Sequence, residues 1–468
     1  MKARTALLGI LIYMTGCSGA ATTDAPLTLT PCGQFKCGKY EVFENRDART
    51  GRKLQLNIVV APALSEKPAA DPVFFIAGGP GQPSTDLARI EARWQQLRVD
   101  RDLVYVDQRG TGGSHRLQCK LHESDDIQSF FRELFPLDAV RACRAELEKI
   151  ADLTMYTTPI AMDDLDEVRA AMGYERINLI GFSYGTWASL EYLRTHSDRV
   201  RSLALAGTAT PRTQFPLHFA GGAQTAMWKL IDDCAHDESC RRAFPDLSSE
   251  FNSLLERLRK KPAEFRLDEG AIRLSYDAFA ERLRLMLYDT ASASRVPLSI
   301  HHAAQGNWIP FATAALARTR SAAENLAMGM YFSVTCSEAV PTITDADIER
   351  ETAGTFVGSF RTRVHQRACG EWPRASVPVD YYRPVESDVP VLMLAGELDP
   401  ATPPEFAEEA AKSLRNGRVV RIKNVAHGYT SECAVTTMTE FIVRGSAAGL
   451  ETGCFDGMKR PAFVPPRE

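Results

Sequence analysis

Several things are scarce or missing from this 468-residue chain, and each absence excludes something. There is no excess of basic residues. Lys plus Arg number 55 against 59 Asp plus Glu, a net charge of −4, so the broad basic footprint of a nucleic-acid binder is lacking. No apolar run approaches the ~20 residues needed to cross a bilayer as a helix, which excludes a polytopic membrane protein. No Cys-x-x-Cys and no His-Glu-x-x-His occurs, so the spacings that announce a metal site are missing. Neither Gly-x-Gly-x-x-Gly nor a Gly-Lys-Ser/Thr ending is found, and a phosphate-cradling loop is not expected. No cofactor is called for. What remains, 44% hydrophobic and 24% charged residues, is the composition of an ordinary globular protein.

The N-terminus reads as an address and not as fold. Lys2 and Arg4 precede a short apolar run, Ala6 to Met14, and then Thr15-Gly16-Cys17. This is a signal-peptide pattern, expected over residues 1–16 with a linker at 17–30. Its end is similar to a bacterial lipoprotein cleavage box, which would make Cys17 the lipidated first residue. Ordinary cleavage near Ala20 or Ala21 is the alternative. Ser18 after the cysteine points by the same likeness to outer-membrane sorting. The expectation is therefore an exported, periplasmic or cell-envelope protein, touching a membrane only through a lipid on Cys17. Setting Cys17 aside leaves an even ten of the 11 cysteines, in close pairs: Cys32/Cys37, Cys119/Cys143, Cys234/Cys240, Cys336/Cys369 and Cys433/Cys454. In an exported chain this reads as a disulfide framework. Sequential pairing is the simplest scheme, and spacing does not fix it.

Strand-like runs occur at Leu54 to Val60, Val73 to Ile76, Leu103 to Val106, Ile177 to Ile180 and Val200 to Ala206. Helical patterns at Asp163 to Met172 and Thr186 to Arg194 alternate with them. That alternation predicts an α/β architecture, a mostly parallel sheet covered on both faces. The rhythm breaks after Pro211. Helical stretches such as Phe251 to Leu258 and Tyr276 to Leu287 follow, without short strand runs, until strands return at Val389 to Leu394 and Val419 to Ile422. The expected organisation is a core over 31–210, a mainly helical cap over 211–384, and the rest of the core over 385–468.

Gly181-Phe182-Ser183-Tyr184-Gly185 lies between an expected strand and an expected helix. This is the nucleophile-elbow pattern of the α/β-hydrolase fold. Ser183 is the candidate nucleophile. A serine hydroxyl needs a base, and in this fold the chain order is Ser, acid, His. Of the nine histidines, the late ones are His365 and His427, and only His427 follows both the elbow and the returning strand. The acid is expected in Gly396-Glu397-Leu398-Asp399-Pro400 after that strand, with Asp399 chosen over Glu397. Gly78-Gly79-Pro80-Gly81 follows a strand and is the candidate oxyanion loop, supplying the N–H of Gly79 beside that of Tyr184. Taken alone, it also reads as a plain turn.

With Asp107-Gln108-Arg109-Gly110-Thr111-Gly112-Gly113-Ser114, these motifs resemble the prolyl aminopeptidases. The cap, the cysteines, Thr157-Thr158 before Asp163-Asp164-Leu165, Cys336-Ser337-Glu338, and Cys369 with Trp372 look more like the secreted tripeptidyl aminopeptidases of the same group. The likeness spans about residues 70 to 455. It implies an α/β-hydrolase fold with a helical cap and a serine exopeptidase acting on peptides with a free N-terminus. Ser183, Asp399 and His427 carry over as nucleophile, orienting acid and base. A cap carboxylate meets the substrate ammonium, and Glu338 occupies the place of such an acid. The usual His before Gly-Gly-Pro-Gly is here Ala77. Arg109 reads as a structural partner of a nearby carboxylate. Trp308, Trp372 and Phe332 read as core, with a pocket lining as the alternative. An ester hydrolase with the same triad, or a non-catalytic binding lipoprotein, remains the competing reading.

Overall fold

The computed structural model describes residues 27–123 and 125–466. The expected signal segment and Cys17 lie outside the described residues. Among these, no helix is long and apolar enough to cross a membrane.

Four-residue runs in which every side chain is buried, Val73–Ile76 and Leu103–Val106, only fit a sheet covered on both faces. They form the middle of a nine-stranded sheet. In chain order the strands are β1 (Thr30–Cys32), β2 (Phe35–Phe43), β3 (Lys53–Ala61), β4 (Val73–Ile76), β5 (Leu103–Val106), β6 (Ile177–Phe182) and β7 (Val200–Ala206). β8 (Ala263–Leu267) and β9 (Gly270–Leu274) form a separate pair, and β10 (Val391–Gly396) and β11 (Gly417–Ile422) return to the main sheet. Its order is β1-β2-β3-β5-β4-β6-β7-β10-β11. β1, β2 and β3 pair antiparallel, as do β3 and β5, and every pairing from β5 onward is parallel. This is the α/β-hydrolase sheet, mostly parallel with an antiparallel edge.

The helix expected from Asp163 begins earlier, at Thr158, with Pro159 in its first turn; proline is pre-set for that position and lacks only an N–H that would be orphaned anyway. The helix after the elbow runs Tyr184–Thr195. Two differences from the expected layout have plain causes. The chain between Pro211 and Arg383 is not purely helical: β8 and β9 form a two-stranded hairpin, partly exposed, whose five-residue strands are too short and too polar to stand out as apolar runs. The covering layer is also not one contiguous insertion. Ile127, Phe130 and Phe131, from the segment before the elbow, and Phe463 near the C-terminus join Phe251, Phe279 and Trp308 in its core. Conversely, Met330, Phe332 and Val334 of helix Met328–Glu338 pack with the core of the sheet domain.

All ten remaining cysteines are paired sequentially: Cys32–Cys37, Cys119–Cys143, Cys234–Cys240, Cys336–Cys369 and Cys433–Cys454. Cys336–Cys369 closes a separation of 33 residues and ties helix Met328–Glu338 to helix Phe360–Gly370. Arg109 is fully buried and donates Nε and Nη2 to the two oxygens of Asp164, at 2.6 and 2.8 Å. That bidentate pair fixes the Asp107–Ser114 loop to the helix before the elbow. Trp308, Trp372 and Phe332 are all packed in cores.

Candidate active site

Ser183 sits between β6 and helix Tyr184–Thr195 with φ 55° and ψ −123°. A non-glycine residue in this region is strained, at about 1–3 kcal/mol. The surroundings hold it there. Its N–H donates to Ala206 O at 2.9 Å, and its own carbonyl accepts from Thr186 N–H and Oγ1. The flanking glycines are required by close approach. A Cβ on Gly185 would lie 2.1 Å from Ile76 O, and one on Gly181 would lie 2.6 Å from Gly185 O. Any side chain at either place would push the elbow off β4 or off its own helix.

Gly79 has φ 111°, and a Cβ on Gly78 would come 3.1 Å from Ser183 Cβ, so the Gly78–Gly81 loop lies against the serine. Gly79 faces the same cavity as Ser183. Tyr184 opens the elbow helix, where the first N–H groups have no intrahelical acceptor. Its side chain points away, and its hydroxyl is hydrogen-bonded to Thr158 Oγ1 at 2.7 Å.

Asp399 follows β10 and is buried. Its Oδ1 accepts from the N–H of Ala401 and of Thr402, both at 2.8 Å. Its Oδ2 lies 2.7 Å from His427 Nδ1 and accepts from Tyr429 Oη at 2.7 Å and Thr402 Oγ1 at 2.8 Å. Burial pushes this carboxyl up, but the charge and hydrogen bond of His427 and the Thr402 and Ala401 N–H groups outweigh it and hold Asp399 below the usual range. With Nδ1 on the acid, Nε2 of His427 is the nitrogen free for chemistry. A Cβ on Gly207, the residue after β7, would lie 3.2 Å from His427 Cε1, so the imidazole stands at the C-terminal end of β7, one residue past the carbonyl that binds the Ser183 N–H. Glu397, the rival acid, makes no hydrogen bond to His427 among the described residues. Its carbonyl accepts from Lys229 Nζ. His365 is buried among Phe135, Tyr331 and Phe332.

Ser183, Gly79 and His427 line one cavity of about 1020 Å³. The far side is built by the cap. The backbone N–H of His427 donates to Tyr288 O at 2.8 Å, and the two rings meet edge to face at 5.3 Å. The cap therefore holds the histidine loop directly.

Residues 355–454 match a family described as TAP-like protein. Over 94% of its length the chain is 22% identical to the "Serine protease Hip1" of Mycobacterium tuberculosis, covering 95% of that protein. It is 24% identical to the "Tripeptidyl aminopeptidase" of Streptomyces coelicolor, over 90% of this chain and 83% of that one. The chain is a serine hydrolase with peptidase relatives along nearly its whole length. Among solved structures, the proline iminopeptidase of Mycobacterium smegmatis is 17% identical with a TM-score of 0.41, over 90% of this chain and 98% of that one. The fold of this hydrolase rests on its own strand order and elbow.

Glu338, the expected ammonium partner, is placed elsewhere. It is fully buried and does not line the cavity. One carboxyl oxygen accepts from the Thr158 N–H at 2.6 Å and the other from Tyr381 Oη. Burial pushes it up to about 7, against hydrogen bonds from Tyr381 and Thr158 that pull it down. It belongs to a hydrogen-bonded cluster behind the elbow, linked through Thr158 to the Tyr184 hydroxyl. A position two residues after a cysteine located it in sequence but not in space.

The sequence did not single out the residues that do line the cap side. Glu281, Arg284, Leu285 and Tyr288, on helix Tyr276–Met286 and the turn after it, form one stripe facing the cavity. Their i, i+3, i+4, i+7 spacing is the available signal. Both Glu281 oxygens accept from Arg284, at 2.6 and 3.0 Å, and Arg284 Nη1 donates to Tyr288 Oη at 2.8 Å.

Proposed function

We propose that this hydrolase is an exported exopeptidase that releases residues from the free N-termini of peptides. Ser183 Oγ attacks the scissile carbonyl while His427 Nε2 takes its proton, and Asp399 fixes the imidazole through Nδ1. The N–H groups of Gly79 and Tyr184 receive the developing oxyanion. His427 returns the proton to the leaving amine, and water, deprotonated by the same imidazole, releases the acyl-enzyme. One observation carries the reading: the Asp399–His427 hydrogen bond of 2.7 Å opens onto the same cavity as a serine held in an elbow.

The cap supports exopeptidase action. It roofs the serine and leaves a bounded space suited to a short segment of chain. Glu281 and Glu324 are the two carboxylates on that wall; Arg284 engages both oxygens of Glu281, so the exposed Glu324 is the group left for an ammonium to meet. The five disulfides support export, because such bonds persist in oxidising compartments. Lipidation of Cys17 is the anchoring we propose, and the mass of the mature N-terminal peptide tests it.

The decisive experiment is a panel of aminoacyl, dipeptidyl and tripeptidyl amides, each beside its N-acetylated twin. Free-amine substrates should be turned over, with kcat/KM at least about 100-fold above that of the blocked twins, the scale of a lost charge-assisted contact. Equal turnover of the twins would remove the free-amine requirement and with it the exopeptidase reading, whereas turnover of the matching esters and of neither amide would put the ester hydrolase in its place.

A further inference from the structure

The chain carries a net charge of −4, yet the cavity wall carries the opposite sign. Five cationic side chains line it, Lys120, Arg284, Arg318, Arg320 and Arg361, against the carboxylates of Glu281 and Glu324. Most have an ordinary explanation. Lys120 pairs with Glu123 at 2.8 Å, Arg320 with Glu269 at 3.5 Å, Arg318 with Asp289, and Arg284 with Glu281.

Arg361 differs. It is only 7% exposed, and among the described residues no carboxylate lies within ion-pair distance of it. Its Nη2 donates to Tyr331 Oη at 2.8 Å, and its buried Nε has no acceptor. The guanidinium stands over the rings of Phe135 and Phe219, at 5.0 and 5.8 Å from their centroids. These contacts orient the fork and bring no carboxylate within hydrogen-bonding reach of it. The nearby carboxylate, Glu281, has both oxygens engaged by Arg284. A buried guanidinium that lines a cavity and has no carboxylate at ion-pair distance is an unfinished ion pair. Arginine presents its N–H groups in a planar fork that fits a carboxylate.

We infer that Arg361, beside Arg284, forms an anion subsite that takes a carboxylate of the peptide substrate. The inference rests on the peptidase reading for the identity of the ligand. The carboxylate has two sources: an acidic side chain within the bound segment, or the free C-terminus of a short peptide.

The test measures binding first, in full-length Ser183→Ala protein so that nothing is consumed. The ligands are an amidated alanine tripeptide, the same peptide with a free C-terminus, and amidated versions with Glu or Gln at the first, second or third position. Titration calorimetry should show at least one carboxylate-bearing peptide binding about tenfold or more tighter than its neutral match. A gain from the free C-terminus identifies the terminal carboxylate, and a gain for Glu over Gln identifies the side chain and its position. Adding Arg361→Gln should bring that ratio close to one, and Arg361→Lys should keep part of it. If every acidic and neutral pair binds equally, or the full gain survives in Arg361→Gln, the subsite is overturned while the peptidase reading stands. If no peptide binds, both are overturned. Should Arg361→Gln fail to fold, the Glu/Gln ratio with Arg361 intact and its reduction in Arg361→Lys decide. The same peptides given to the wild-type enzyme should show the preference chiefly in KM.

Discussion

The two walls of the cavity were assembled by different means. The floor, contributed by the sheet, is written in short motifs. Gly181 to Gly185 must carry glycine where β4 and the elbow helix touch, and Ser183 must stand at a strained φ of 55°. Those demands are local in sequence, so they leave a five-residue signature. The roof has no such signature. Glu281, Arg284 and Tyr288 come from one helix and the turn after it, and Arg361 from another 73 positions on, and only packing brings them together. Backbone geometry is legible in a motif, whereas side-chain geometry built by tertiary packing is not. The chemistry should accordingly reside in the floor and the selectivity in the roof.

The largest break in that comparison comes from the floor. Ser183→Ala should lower kcat by roughly 10⁵-fold or more while leaving the thermal midpoint near wild type, since alanine inherits the same backbone geometry. A fluorophosphonate should label the wild type and not the variant. Turnover close to wild type would move the chemistry away from the elbow. Asp399→Asn should follow, with kcat down by about 10⁴-fold because the amide favours the wrong imidazole tautomer. It should also lose stability. Oδ1 accepts two N–H groups, and Oδ2 accepts from Tyr429 and Thr402 and meets His427, so either orientation of an amide aims its NH₂ at donors. The carboxyl is held below its usual range. Its contribution is therefore present above the unfolded value of about 4 and fades as pH falls through the lower folded value. Urea midpoints at neutral and acid pH should converge between wild type and variant as acid is added.

How much was legible follows the same division. The turn after β10 could be named as the place of the acid because a turn is a backbone feature, but Glu397 and Asp399 both lie in it, and only the packed structure shows that Asp399 is the one bonded to His427. The central parallel strands were plain, since double burial makes them continuous apolar runs. The hairpin of β8 and β9 was not: its burial alternates, and arginine and glutamate interrupt it. Phe130 and Phe131 were unplaceable, because a short segment ahead of the elbow gives no hint that it crosses to the roof. Glu338 shows the limit of resemblance. Its spacing from Cys336 matched, but the helix that carries it turns its last residue toward Thr158 and Tyr381 and away from the cavity.

Two buried glutamates sharpen the contrast at smaller scale. Glu281 is held ionised: burial pushes it up, but Arg284, Arg361 and Arg282 outweigh that and leave it below the ordinary range. Glu281→Gln would leave Arg284 buried without its counter-charge and should cost about 3 kcal/mol, the scale of a broken buried pair, read as a lower urea midpoint at neutral pH. Its stabilisation is present above the unfolded value and is lost as pH falls. A loss under about 1 kcal/mol would mean that water or another acid compensates, and that the roof does not depend on this ion pair.

Glu338 has the opposite sign. Burial lifts it from 4.5 to about 7, so the folded protein holds this proton more tightly than the unfolded chain. The associated stability is complete below the unfolded value and declines as pH rises through about 7, by at most about 3 kcal/mol. Glu338→Gln cannot titrate. Its carbonyl can still accept from the Thr158 N–H, and the Tyr381 hydroxyl, which already accepts from Trp187 Nε1 at 2.6 Å, must turn to meet an NH₂. The variant should therefore be slightly less stable than wild type near pH 5 and close the gap, or pass it, near pH 8. Because this cluster lies behind the elbow and not in the cavity, KM for the preferred peptide should barely change. A large rise in KM with an unchanged stability profile would return Glu338 to the role of ammonium partner.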